Sequence, residues 1–107
     1  MVKFLAELET QTGKQIVICI EMEPDCVLQS TPELIAFFTD NLLQTASDKG
    51  IEPAKVLRSL GCCYDTCHQA VMGENITDSL QGITQAGIQI GKVQISNAVK
   101  ANITTDI

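Results

Sequence analysis

Apolar and polar positions along this chain follow two periods. In VKFLAELETQTG, at residues 2–13, Phe4, Leu5 and Leu8 recur at helical spacing and Gly13 offers a stop. KQIVICIE, at 14–21, is a short apolar run rich in β-branched residues, which predicts a strand. The segment CVLQSTPELIAFFTDNLLQTASDKG predicts the main helix. There Ser30 and Glu33 stand at capping-box spacing, with Pro32 tolerated in the first turn. Leu34, Ile35, Phe38, Leu42 and Ala46 form one apolar stripe, and Gly50 closes the helix. A shorter helix is expected in IEPAKVLRS and a second strand in LGCCYD (60–65). In ENITDSLQGITQAG, Asn75 caps a third main helix with Leu80, Ile83 and Gly87 on one side. IQIGKVQI (88–95) is the third strand, and a polar tail follows.

Helices and strands that alternate through short connections imply parallel strands joined by right-handed crossovers. No linker, repeat or low-complexity tract divides the chain, so residues 1–107 read as one α/β unit. Two architectures fit: a small open doubly wound sheet, or a partial (β/α)8 TIM barrel of about three βα units. Three strands cannot close a barrel, and a complete one takes about 250 residues. On the second reading the chain is a single partial-barrel segment.

Strand side chains alternate between faces. In the first strand Ile16, Ile18 and Ile20 share one face, and Val17, Cys19 and Glu21 the other. In the second, Cys62 and Tyr64 lie opposite Gly61, Cys63 and Asp65; in the third, Val93 and Ile95 lie opposite Lys92, Gln94 and Ser96. One face of each strand is thus apolar and suits a helix layer. The other turns polar at its C-terminal end, with Glu21, Asp65 and Gln94. Polar groups gathered at the C-terminal ends of parallel strands mark the active edge of barrels and open α/β sheets alike.

Composition narrows the function classes. With three Phe, one Tyr and no Trp, the core must be aliphatic. The net charge of −6, from dispersed acidic residues, argues against nucleic acid or an anionic membrane as partner. The N-terminus meets polar residues after six positions, which is not a signal sequence, and no stretch approaches a membrane span. Five cysteines, an odd number, fit a reducing, cytoplasmic setting better than a disulfide framework.

The chemistry concentrates in LGCCYDTCHQA (60–70), where three cysteines, Asp65 and the single histidine crowd together. Structural zinc wants two close ligand pairs, and a second Cys/His pair is missing from the sequence. Thioredoxin-like redox work needs C-x-x-C at a helix start, a spacing that Cys62, Cys63 and Cys67 do not have. Most of these thiols are therefore expected to act as small hydrophobes. A lone histidine is ordinarily a surface or capping imidazole, but D-x-x-H just past a strand lets both side chains reach one point. A divalent cation would take an oxygen from each of Glu21 and Asp65 and a nitrogen from His68, a mixed set suited to Zn, Mn or Co.

At these residues the sequence resembles a known family. LGCCYDTCHQAV is similar to the G-x-x-x-D-T-x-H segment of xylose-isomerase-like TIM barrels, the sugar phosphate isomerase/epimerase and endonuclease IV superfamily. IVICIEMEPDCVLQSTPELIAFF and GIQIGKVQIS bring it nearer to one branch, the EboE-type metabolite traffic proteins. The likeness covers nearly the whole chain and corresponds to the fourth-to-sixth strand region of a barrel. It implies that Glu21 is a strand-end metal-binding glutamate, with Glu23 as the alternative of the same facing, and that Asp65 and His68 are further ligands. Gln94 stands where the wider superfamily often places a metal-binding histidine; its amide would orient substrate.

The resemblance further implies a metal that polarises oxygens of a small polyhydroxy metabolite while a carboxylate, here Glu21, moves the proton. It implies a fragment, with the family's earlier and closing strands lying outside the chain, and an isomerase- or epimerase-like activity only when complementing barrel segments complete it. A reading from another class is a free-standing small α/β binding or assembly module that pairs its edge strands with another chain, by self-association or with complementing barrel segments. Endonuclease-like repair, which shares the superfamily, is disfavoured by the net charge.

Overall fold

A computed structural model describes residues 1–102, so the end of the polar tail lies outside the described residues. Its centre is β2 (Leu60–Asp65), every residue of which is buried. β1 (Ile18–Glu21) and β3 (Ile90–Gln94) pair with β2 on either side, both in parallel, giving the order β1-β2-β3. The chain is therefore mixed α/β with one parallel three-stranded sheet. Strand order follows chain order without reversal, so these strands offer no switch-point crevice of the doubly wound kind.

The flanking strands are shorter than the sequence pattern suggests, because a ladder ends where its partner ends. Ile18 pairs with Leu60, the first residue of β2, which leaves residues 14–17 outside the strand. At the other end Gln94 pairs with Asp65, the last residue of β2. The centre of the second segment is unchanged from expectation. Its boundaries, Leu60 and Asp65, coincide with those of the apolar run.

The helices are α1 (Val2–Thr12), α2 (Thr31–Ala36), α3 (Gln44–Asp48), α4 (Pro53–Ser59), α5 (Thr66–Val71) and α6 (Ile76–Gln85). Ser30 and Glu33 form the expected capping box at the start of α2: Glu33 N–H donates to Ser30 Oγ at 3.4 Å and Ser30 N–H to Glu33 Oε2 at 3.0 Å. Backbone N–H bonds from Gln29 and Ser30 hold the Glu33 carboxyl below its usual range. α2 passes into α3 through a π-helical stretch, Phe37–Leu43, that the periodicity does not disclose. Within it Thr39 Oγ1 donates back to the carbonyls of Ile35 (3.1 Å) and Ala36 (3.3 Å). The segment directly after β2 is the helix α5.

One core joins Leu60, Cys62 and Tyr64 of β2 to Leu34, Phe38, Ala46, Val56 and Ile83 of the helices. This layer does not extend across all three strands as the alternation implies. Ile16 and Ile18 are 46% and 39% exposed, and Val93 and Ile95 are 48% and 86% exposed. The helices pack chiefly over β2, and of the outer strands only Ile20 and Ile90 reach the core.

On the opposite face the sheet curls inward. Residues of β1 and β3, which do not pair, come within 8 Å of each other Cα to Cα. Glycine makes the approach feasible: a Cβ on Gly91 would lie 2.5 Å from Cys19 Sγ, and one on Gly61 would lie 2.8 Å from Gln89 Cγ. Gly91 is also the extra residue where the β2–β3 register shifts, between the Cys62–Ile90 and Cys63–Lys92 pairs. Among the described residues no helix is long and apolar enough to cross a membrane.

Candidate metal centre

The concave face delivers its polar residues to the C-terminal edge of the sheet. Asp65 and Gln94 are register partners, while Glu21 pairs with Cys63, two positions behind Asp65. The longer glutamate side chain makes up that stagger. One ligand atom from each of Glu21, Asp65 and His68 lies within 4.8 Å of the others.

Asp65 is fixed from two directions. It is the N-cap of α5, and its Oδ1 accepts from the backbone N–H of Cys67 (2.9 Å) and His68 (3.1 Å). Oδ1 also accepts from Ser96 Oγ at 2.5 Å. That serine bond chiefly, with the backbone bonds and the nearby His68, holds the carboxyl below its ordinary value against the opposing effect of burial. Ser96 is held in turn by Thr66, whose Oγ1 accepts from Ser96 N–H (3.0 Å) and donates to the Ser96 carbonyl (2.8 Å).

With Oδ1 saturated, Oδ2 is the atom Asp65 has left to offer. Gln94 Nε2 donates to it at 3.0 Å and to Glu21 Oε1 at 2.7 Å, so one amide group joins the two carboxylates. Lys92 Nζ donates to the same amide's oxygen at 3.0 Å.

His68 lies in the first turn of α5, where the cap on Asp65 places it beside β1. Its Nδ1 is 3.0 Å from the carbonyl oxygen of Met22 and 3.3 Å from Glu21 Oε1. Both neighbours are acceptors, so Nδ1 is the nitrogen that carries a proton here, and in the neutral tautomer the lone pair resides on Nε2. A ligating imidazole is commonly held by such a bond from its other nitrogen.

The donor set fits a divalent cation. Two carboxylate oxygens and an imidazole nitrogen, presented by adjacent strand ends and a helix start, are ligands of the Zn, Mn and Co class. Donors about 2.0–2.2 Å from one ion are at most about 4.4 Å apart, a spacing close to the 4.8 Å within which these atoms lie.

The structure thus brings Glu21, Asp65, His68 and Gln94 together and leaves Glu23 out. The chain leaves β1 after Glu21, and Met22 is fully buried. Glu23 lies exposed in the loop beyond, where its Oε2 accepts from the Cys26 thiol at 3.6 Å. Gln94 also presents its amide nitrogen, not the oxygen, to the carboxylates.

Sequence reasoning missed Ser96, Thr66 and Lys92 as members of the network. Strand parity had already put Lys92 and Ser96 on the face of Gln94, which was the available signal. No cysteine thiol belongs to the ligand cluster. All five are free thiols, and Cys62 and Cys63 are buried. Burial pushes the Cys62 thiol up to about 12, and burial together with Glu21 raises that of Cys63. Such thiols are poor nucleophiles and poor metal ligands near neutral pH.

No family model, curated protein or solved structure gives a significant match to the chain.

Proposed function

We propose that the chain carries a divalent-metal site built from Glu21, Asp65 and His68, in a segment of a xylose-isomerase-like (β/α)8 barrel acting on a small polyhydroxy metabolite. The observation that carries this reading is the convergence of the three ligand types at the C-terminal edge of parallel strands. The barrel reading is supported by sequential strand order, by helices packed on one face of β2, and by the concave opposite face. The open edges of β1 and β3 are where complementing βα units would pair.

A bound divalent ion would act as a Lewis acid on neighbouring substrate oxygens. The chain's own residues have distinct tasks. Asp65 is held rigidly by the α5 cap and Ser96, which suits a fixed ligand. Glu21 is the exposed carboxylate, placed to move a proton of a substrate at this edge. His68 donates Nδ1–H to Met22, which fixes the orientation of the ring.

Cobalt(II) absorption tests the site on the folded protein. One equivalent should bind in the wild type and be lost in Glu21→Gln and His68→Ala; equal binding in all three overturns the reading.

The exposed apolar residues Ile16, Ile18, Val93 and Ile95 favour a second reading, an assembly module that joins copies through its edge strands. Light scattering separates the two. A defined oligomer supports the module, and a cooperatively unfolding monomer argues against both self-association and an incomplete barrel segment.

A further inference from the structure

We infer that Gln94 is an internal competitor for the cation, a residue that sets the affinity of the site by occupying it with an amide, and not a ligand or a substrate-orienting group. The inference rests on the metal reading of Glu21, Asp65 and His68. Two carboxylates aimed at one point repel each other unless a positive or hydrogen-donating group stands between them. Here that group is Gln94 Nε2, at 2.7 Å from Glu21 Oε1 and 3.0 Å from Asp65 Oδ2.

The orientation of the amide follows from its surroundings. The reverse placement would set its oxygen against two carboxylate oxygens and its nitrogen against the Lys92 ammonium, with every contact repulsive. Lys92 Nζ, at 3.0 Å from Gln94 Oε1, therefore locks the donor end inward. The Gln94 side chain is half-buried.

The atom-level geometry makes the competition direct. Asp65 Oδ1 is consumed by Cys67 N–H, His68 N–H and Ser96 Oγ–H, which leaves Oδ2 for a cation. Oδ2 is the atom Gln94 holds. A cation that takes Glu21 Oε1 and Asp65 Oδ2 competes for the same two oxygens that Nε2 holds. For Gln94 to serve as a ligand it would have to turn its oxygen inward and abandon Lys92.

Zinc binding to the purified chain, measured by isothermal titration for wild type and Gln94→Met, tests this. Methionine keeps the length of the side chain and has no donor. Removing charge-assisted bonds that favour the metal-free state should tighten zinc binding by about tenfold or more. Tighter binding by the variant, or binding by the variant alone, supports the competitor role. Equal or weaker binding by Gln94→Met overturns it and leaves the metal reading standing. Binding by neither protein overturns both.

Should the variant not fold, the Gln94 side-chain amide resonances of the wild type decide. They should lose their hydrogen-bonded shifts as zinc is added; resonances unchanged at saturation overturn the inference.

Discussion

Replacing Asp65 by alanine removes the centre of the network and separates its structural task from its proposed ligand task. The α5 cap, formed with Cys67 N–H and His68 N–H, is worth about 0.5–2 kcal/mol. Ser96 Oγ and Gln94 Nε2 each lose a bond to a charged acceptor, of the class worth about 1.5–3 kcal/mol. Two effects offset part of this: Ser96 is exposed enough to turn to water, and Glu21 no longer faces a like charge. The net expectation for Asp65→Ala is a loss of about 2–4 kcal/mol. In a domain of this size that lowers the melting temperature by roughly 10–20 °C.

Asp65→Asn is the informative companion. Asparagine caps a helix as well as aspartate does, and its Oδ1 keeps all three donors. Its new amide faces that of Gln94, donor against donor, so the loss should be about 1–2 kcal/mol. Urea denaturation followed by far-ultraviolet circular dichroism measures both. An alanine variant within about 0.5 kcal/mol of wild type, the range of an ordinary surface substitution, would refute the network as described.

Other consequences are independent of the metal. Asp65 and Glu33 have carboxyls lowered from 3.8 and 4.5, so their stabilisation is full above those values and is lost as the pH falls through the lower folded ones. Urea midpoints recorded from neutral pH downward should drop through that window, and less steeply in Asp65→Asn; identical profiles would contradict it. Gly91→Ala puts a Cβ against Cys19 Sγ and should cost about 1–3 kcal/mol, less when combined with Cys19→Ala; no coupling in the double-mutant cycle would show that the two strands do not touch there. Cys26 is the exposed thiol and should react first with a disulfide reagent, whereas Cys62 and Cys63 should wait for unfolding. Equal rates for all three would place β2 at the surface.

What could be read from the sequence depended on how many neighbours each element has. β2 is buried on both faces, so its apolar run and its boundaries coincide. β1 and β3 have one partner each, and their ladders stop where β2 stops, which no local pattern encodes. The π stretch at Phe37–Leu43 keeps the apolar stripe of a helix and so leaves no separate signal. α5 is only six residues long, too short for periodicity, and its one marker was Asp65, already assigned to the strand end.

Strand parity placed Glu21, Asp65 and Gln94 on one face because alternation survives up to the last paired residue. It failed at Glu23, where the chain leaves the ladder. The direction of the Gln94 amide depends on Lys92 and on two carboxylates from other strands, a three-body arrangement invisible to a reading of one strand at a time.

The most direct measurement is an anomalous-difference map from crystals grown with cobalt. One peak bounded by Glu21 Oε1, Asp65 Oδ2 and the His68 ring, with the Gln94 amide turned aside, is the result the account predicts. No peak at this edge, or a peak at the thiols instead, would contradict it.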